Sequence, residues 1–150
     1  MKIIGIDPDT KESGIAIYDK TAKELEVRSL SFFNLLDYLR DNSADIELVK
    51  IEGGWLNKKS NFRFTKSKGI GENIAKKVGS NHETGKKIVE MCEYLKINHS
   101  IVKPLRKIWK GAEGKITDAE LRQQLSRLQI TLAKTRTNQE TRDSVLICLY

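Results

Sequence analysis

The stretch 3-IIGIDPDTKESGIAIYD-19 places an aspartate on the end of a strand that is apolar on both faces. Ile3, Ile4 and Ile6 supply side chains to either side, the pattern of a central strand covered above and below. An ionised carboxylate there is costly unless it is solvated, paired or bound to a cation. Pro8 ends the strand, residues 9–13 form a polar turn, and Gly14-Ile15-Ala16-Ile17-Tyr18 resumes strand character. The unit is a hairpin with Asp7 at its mouth. Strand ends that open into loops are common places for chemistry.

Working outward, a third strand is expected at 25–31, where Leu25, Val27, Ser29 and Ser31 alternate with their neighbours. Phe33, Leu36 and Leu39 have helical spacing across 32–41, and ELVKIE at 47–52 is a fourth strand. The segment 54–81, with glycines at 54, 69, 71 and 79, is expected as loop, with a short helical turn at 72–78. A helix over 83–96 gathers Ile88, Cys92 and Leu95 on one stripe. A short fifth strand at 100–103 is halted by Pro104. Thr117 and Glu120 form a capping box for a helix to about 128, and a last helix starts near Asn138. Three antiparallel strands followed by helix–strand alternation predict a single α/β domain over 1–150, with a mixed five-stranded sheet flanked by helices.

On that scaffold Glu52 ends the fourth strand as Asp7 ends the first. If those strands are parallel neighbours, their carboxylates meet at one edge. Glu140 and Asp143, three apart on the last helix, share a face at the rim of the same end. Clustered carboxylates with no histidine or cysteine beside them suit hard cations such as Mg²⁺ or Mn²⁺. His82 and His99 are expected to be structural or solvent-facing.

The 150 residues carry a net charge of +7, and its placement is informative. Residues 54–81 hold seven Lys or Arg against one acid, Glu72, with Trp55, Phe62 and Phe64 among them. Residues 103–115 hold five more against Glu113 alone. Basic clusters interleaved with aromatics point to a polyanion, most economically nucleic acid. No apolar run approaches the length of about 18 residues that a membrane helix needs, and no signal-peptide layout opens the chain. Cys92 and Cys148 are expected as buried, reduced thiols, which makes a cytoplasmic protein the expectation.

GIDPDTKESGIAI resembles the opening motif of the RuvC family of Holliday junction resolvases, within the RNase H-like superfamily. That family opens with Gly-Ile-Asp-Pro-Gly and then Thr-Gly, ends its fourth strand on a glutamate, and closes with a helix bearing two acids three apart. Asp7, Glu52, Glu140 and Asp143 match in order, with Asp9 and Ser13 standing in for the usual glycine and threonine. Trp55 matches the family's aromatic after the glutamate, and Gly85 a glycine of the next helix.

The resemblance implies a Mg²⁺-dependent endonuclease (Mn²⁺ may substitute) with two ions per site, held by Asp7, Glu52, Glu140 and Asp143. Lys107 or Lys115 would stabilise charge on the scissile phosphate. Trp55, Lys58, Lys59, Arg63, Lys66, Lys103, Arg106, Lys107 and Lys110 would contact branched DNA, with Trp55 stacking on an unpaired base. Paired cuts in a four-way junction need two sites, so a homodimer is expected through the apolar side of the helix at 83–96. The alternatives are a related nuclease acting on flaps, forks or RNA, and a non-catalytic nucleic-acid-binding module of the same fold.

Overall fold

The computed structural model describes residues 1–57, 68–134 and 136–150. Its centre is a mixed sheet built from β1 (Lys2–Asp7), β2 (Ser13–Asp19), β3 (Glu24–Leu30), β4 (Ile46–Glu52), β5 (His99–Val102) and β6 (Thr131–Leu132), in the order β5-β4-β1-β2-β3-β6. β1, β2 and β3 are antiparallel neighbours, whereas β4 runs parallel to β1 and β5 parallel to β4. The sheet has six strands where the sequence predicts five. β6 pairs with β3 through only Glu24–Thr131 and Leu25–Leu132, and two residues cannot display an alternating pattern.

Helices α1 (Phe32–Asp41) and α2 (Lys68–Tyr94) cover one face; α3 (Asp118–Arg127) and α4 (Gln139–Leu149) cover the other. Ile4, Ile6, Val49 and Ile51 pack with Leu35, Leu39, Ile88 and Cys92 on the first face. Ala16, Leu25 and Val27 pack with Leu121, Leu125, Val145 and Leu146 on the second. Thr117 caps α3 through the expected capping box, and Asn138 forms a second such box with Thr141 at the start of α4.

α2 replaces the second half of the expected loop. It begins at Lys68, so the segment 72–78 is part of a 27-residue helix continuous with the stripe at 83–94. Each helical glycine costs about 1 kcal/mol relative to alanine, but the helix is anchored by Ile88, Met91 and Cys92, all buried against the sheet. Packing of that half overrides the weak local preference of the first half. Those same residues are the apolar side of the 83–96 helix expected to form a dimer. That stripe is engaged in the chain's own core, with Val89 and Leu95 partly buried beside it.

Two glycines set the position of α4. A Cβ on Gly5 of β1 would fall 2.5 Å from the Cys148 backbone nitrogen and closer still to the Ser144 carbonyl oxygen. A Cβ on Gly14 of β2 would collide with the Glu140 backbone. The helix therefore lies directly on the backbones of β1 and β2, its first turn over β2 and its later turns over β1. Both cysteines are free and buried, and burial pushes their thiols up, to about 11 for Cys92 and about 12 for Cys148. They are inert at neutral pH. Among the described residues no helix is long and apolar enough to cross a membrane.

Candidate active site

Strand alternation brings the acids together. Side chains 4 and 6 of β1 and 49 and 51 of β4 enter the α1–α2 face. The pleat therefore turns Asp7 and Glu52 to the α4 face. The parallel register Ile6–Ile51 makes Asp7 and Glu52 neighbours one step further on. Asp143, on the second turn of α4, completes the group. Together they line a cleft of about 320 Å³ whose other walls include Asn57, His82, Arg106, Lys107, Trp109 and Lys115.

The electrostatics of this group is unbalanced. Burial, then the charges of Glu52 and Asp143 and a hydrogen bond shared with Glu52, hold the Asp7 carboxyl well above its usual range, opposed by Lys115. Burial also raises Asp143, against a hydrogen bond from Gln139 and the charge of Lys115. The Lys115 ammonium stands 3.7 Å from Asp143 Oδ2. Glu52 Oε1 accepts the Leu105 N–H at 3.1 Å. Among the described residues no three His, Cys, Asp or Glu side chains stand close enough together to hold a metal ion as they are placed. The three carboxylates share one cleft without being drawn onto a common centre.

Glu140 is set apart. It is exposed, and it lines a second depression with Asp9, Lys11, Glu12, Ser29, Lys77 and Asn138. Its backbone sits over Gly14 of β2, which carries it away from β4 and Glu52. Three residues' spacing puts Glu140 and Asp143 on one side of the helix, but α4 passes from β2 to β1, so Asp143 enters the cleft and Glu140 stays outside it. Gln139 is the residue that reaches Asp143.

The cations divide similarly. Arg106, Lys107 and Lys115 line the acidic cleft, with Lys107 also 3.7 Å from Glu113. Lys103 lies in an adjoining, mostly apolar groove with Ile108, Trp109 and Tyr150. Lys110 is exposed, and its N–H is held by Glu120. Lys58, Lys59, Arg63 and Lys66 lie outside the described residues. Trp55 follows β4 in a short 3₁₀ turn, Gly54–Leu56. Its half-buried ring packs on Gly85 of α2, where a Cβ would fall 2.5 Å from the indole, with Pro8 beside it. The Gly85 backbone thus seats the aromatic at the cleft's edge.

Sequence reading missed His82 and Gln139. His82 projects from α2 against Gly54 and lines the cleft beside Asp7 and Glu52. Its position is visible only once 72–82 is read as helix. Gln139 carries no charge and gives no signal in sequence.

No family sequence model matches the chain, and no curated protein sequence matches it at a significant level. Solved structures do match. T. thermophilus RuvC in complex with a Holliday junction substrate superposes with a TM-score of 0.56 at 15% identity, covering 99% of this chain and 90% of that one. Thermus thermophilus RuvC in a second structure gives 0.48 at 16%, over 99% and 92%. The Fowlpox virus resolvase in complex with Holliday junction DNA gives 0.45 at 16%, over 99% and 95%. The sheet order, the helices on both faces and the first of these superpositions define an RNase H-like fold. Within that class the chain has the RuvC-like form.

Proposed function

We propose that the chain is a divalent-metal-dependent endonuclease of branched DNA, with the four-way junction as its preferred substrate. The observation that carries this reading is that Asp7, Glu52 and Asp143, from three separate elements, line one cleft with Arg106, Lys107 and Lys115. A hydrolase of neutral substrates has no use for both. The all-oxygen donor set suits Mg²⁺ or Mn²⁺, and a cation would offset the burial that raises Asp7 and Asp143 and the repulsion from Glu52 and Asp143 that adds to it at Asp7. The RuvC that shares this fold is bound to a Holliday junction, which supports the substrate class.

Asp7, Glu52 and Asp143 would hold the ions, two per site, with Glu140 outside that set. Bound Mg²⁺ supplies an activated water and charge stabilisation for the leaving oxygen. The chain's own residues do the rest. The Leu105 N–H fixes one oxygen of Glu52. Lys107 and Lys115 place positive charge where the scissile phosphate would lie, a preorganised stabilisation of the developing anion. Arg106 continues the basic wall toward Lys103. Trp55, at the edge, is placed to stack on a base at the branch point. Symmetric cutting requires two copies of the chain.

One gel tests this reading. A synthetic four-way junction, a flap, a linear duplex and a single-stranded RNA are each incubated with the protein in Mg²⁺ and in Ca²⁺. The junction is expected to be cut in Mg²⁺ at paired positions on opposite strands, giving nicks that ligase seals. Ca²⁺ should support binding without cleavage, because its looser coordination does not keep water and leaving group in register. Equal cleavage of duplex and junction, or preference for RNA, would overturn the substrate; no cleavage of any substrate would leave only a binding module.

Replacing Lys103, Arg106 and Lys110 by alanine is expected to flatten the salt dependence of junction binding. Each lost phosphate contact removes about 0.9 from the slope of log K against log salt, so three remove about 2.7. An unchanged slope in a filter-binding titration would mean that this segment faces away from the DNA.

A further inference from the structure

Asp143 is not held by the helix alone. Gln139 Nε2 donates to Asp143 Oδ1 at 2.7 Å, one turn along α4. Arg142 Nη2 donates to Gln139 Oε1 at 3.0 Å. The direction of this pair is fixed by chemistry, because a guanidinium has donors only. With its oxygen taken by Arg142, the Gln139 amide must present N–H to Asp143. Arg142 is itself clamped. Its Nε donates to the carbonyl of buried Ile116 at 3.1 Å, and Nη1 donates to the Thr137 carbonyl and hydroxyl at 3.2 Å. The Thr137 hydroxyl in turn donates to Asp118 at 2.7 Å.

Ile116 follows Lys115, whose ammonium stands 3.7 Å from the other oxygen of Asp143. The turn that bears the lysine and the helix that bears the acid are thus tied at two points. The residues of this network could have served the fold with an ion pair to Asp143 directly. Instead an uncharged amide stands between Arg142 and the carboxylate. It fixes Oδ1 by a hydrogen bond rather than a second ion pair, while Oδ2 faces Lys115.

We infer that Gln139 is a positioning residue for the metal site, oriented by Arg142, which sets the Asp143 carboxylate toward Asp7 and Glu52 and keeps Lys115 in register with it. This rests on the proposed metal-dependent activity and adds a requirement that the carboxylates alone do not impose. Hydrogen-bond partners of metal ligands are typically worth about 10–100-fold in metal affinity or activity.

The test is Mn²⁺ binding, followed by electron paramagnetic resonance without DNA, on wild type, Gln139→Met, Gln139→Ala, Arg142→Lys and Asp7→Asn. Methionine keeps the length and helix preference of glutamine but lacks its donor; alanine is the fallback if methionine disturbs folding. Thermal melts in chelator report any purely structural loss. Gln139→Met and Gln139→Ala are expected to bind Mn²⁺ about tenfold more weakly, at wild-type melting temperature. Arg142→Lys, which keeps the charge but loses the fork, should fall between. Cleavage by the Gln139 variants should return toward wild type as metal is raised. Gln139 variants that bind Mn²⁺ as tightly as wild type would overturn the inference while leaving the metal site standing. If wild type and Asp7→Asn are alike in binding no Mn²⁺, the metal site itself is refuted, and the inference with it.

Discussion

Asp7→Asn is expected to abolish junction cleavage and, with divalent metal removed, to melt at a higher temperature than the wild type. The loss of activity follows from position, since Asp7 lies between Glu52 and Asp143 and is the only one of the three flanked by both. Removing one of the charges that would hold the ions forfeits several kcal/mol of transition-state stabilisation, about 10³-fold in rate or more. Junction binding in Ca²⁺ should change little, because the phosphate contacts are assigned to lysines and arginines. The gain in stability follows from burial. Desolvation first, and then Glu52 and Asp143, raise the Asp7 carboxyl in the folded chain.

A carboxyl whose folded pKa is raised holds its proton more tightly folded than unfolded. It therefore lowers stability as pH climbs from the ordinary carboxylate range through the raised value. Asparagine cannot ionise and escapes that penalty. The difference in melting temperature should be largest at neutral pH and vanish in acid, where both side chains are neutral. Each kcal/mol relieved is worth about 2–4 °C for a chain of this size. Adding Mg²⁺ should narrow the gap by stabilising only the wild type. A variant that melts below wild type at neutral pH in chelator would show that Asp7 is not under electrostatic strain.

Much of this site is legible in the sequence because strands advertise themselves. The IIGID and ELVKIE runs define both the strand and the face of its last residue, so the pairing of Asp7 with Glu52 needs only that the two strands be parallel neighbours, as they are. Asp143 is legible through its place in a helix with apolar residues at 145, 146 and 149. The failures are those of orientation between elements. Glu140 stays outside the cleft that Asp143 enters because α4 passes from β2 to β1, a path set by its contacts with Gly14 and Gly5 and not by helical period. The start of α2 is hidden by glycines whose cost is met by packing elsewhere in the same helix. β6 is two residues long and depends on β3 for its existence. Gln139 and Arg142 matter through what they hold, and hydrogen-bond partners leave no periodic trace.

Gly5→Ala should be among the most damaging single substitutions in the chain, although it adds only one methyl group. That methyl would lie 2.5 Å from the Cys148 nitrogen and nearer still to the Ser144 oxygen. Both are backbone atoms of a helix packed by Val145, Leu146 and Cys148 into the core, so no side-chain rotation makes room. Overpacking against movable side chains costs about 1–3 kcal/mol, and this contact should reach at least the upper end, about 3 kcal/mol, or 6–12 °C in melting temperature. The functional consequence is separate from stability. Lifting α4 off β1 moves Asp143 away from Asp7, so Mn²⁺ affinity should fall even where the variant is folded. Gly79→Ala is the counterpart, since its Cβ would meet nothing within 4 Å. On an exposed stretch of α2 it should stabilise by up to about 1 kcal/mol and leave metal binding unchanged. If Gly5→Ala melted with the wild type and bound Mn²⁺ equally well, the close seating of α4 on β1 would not be what brings the acids together.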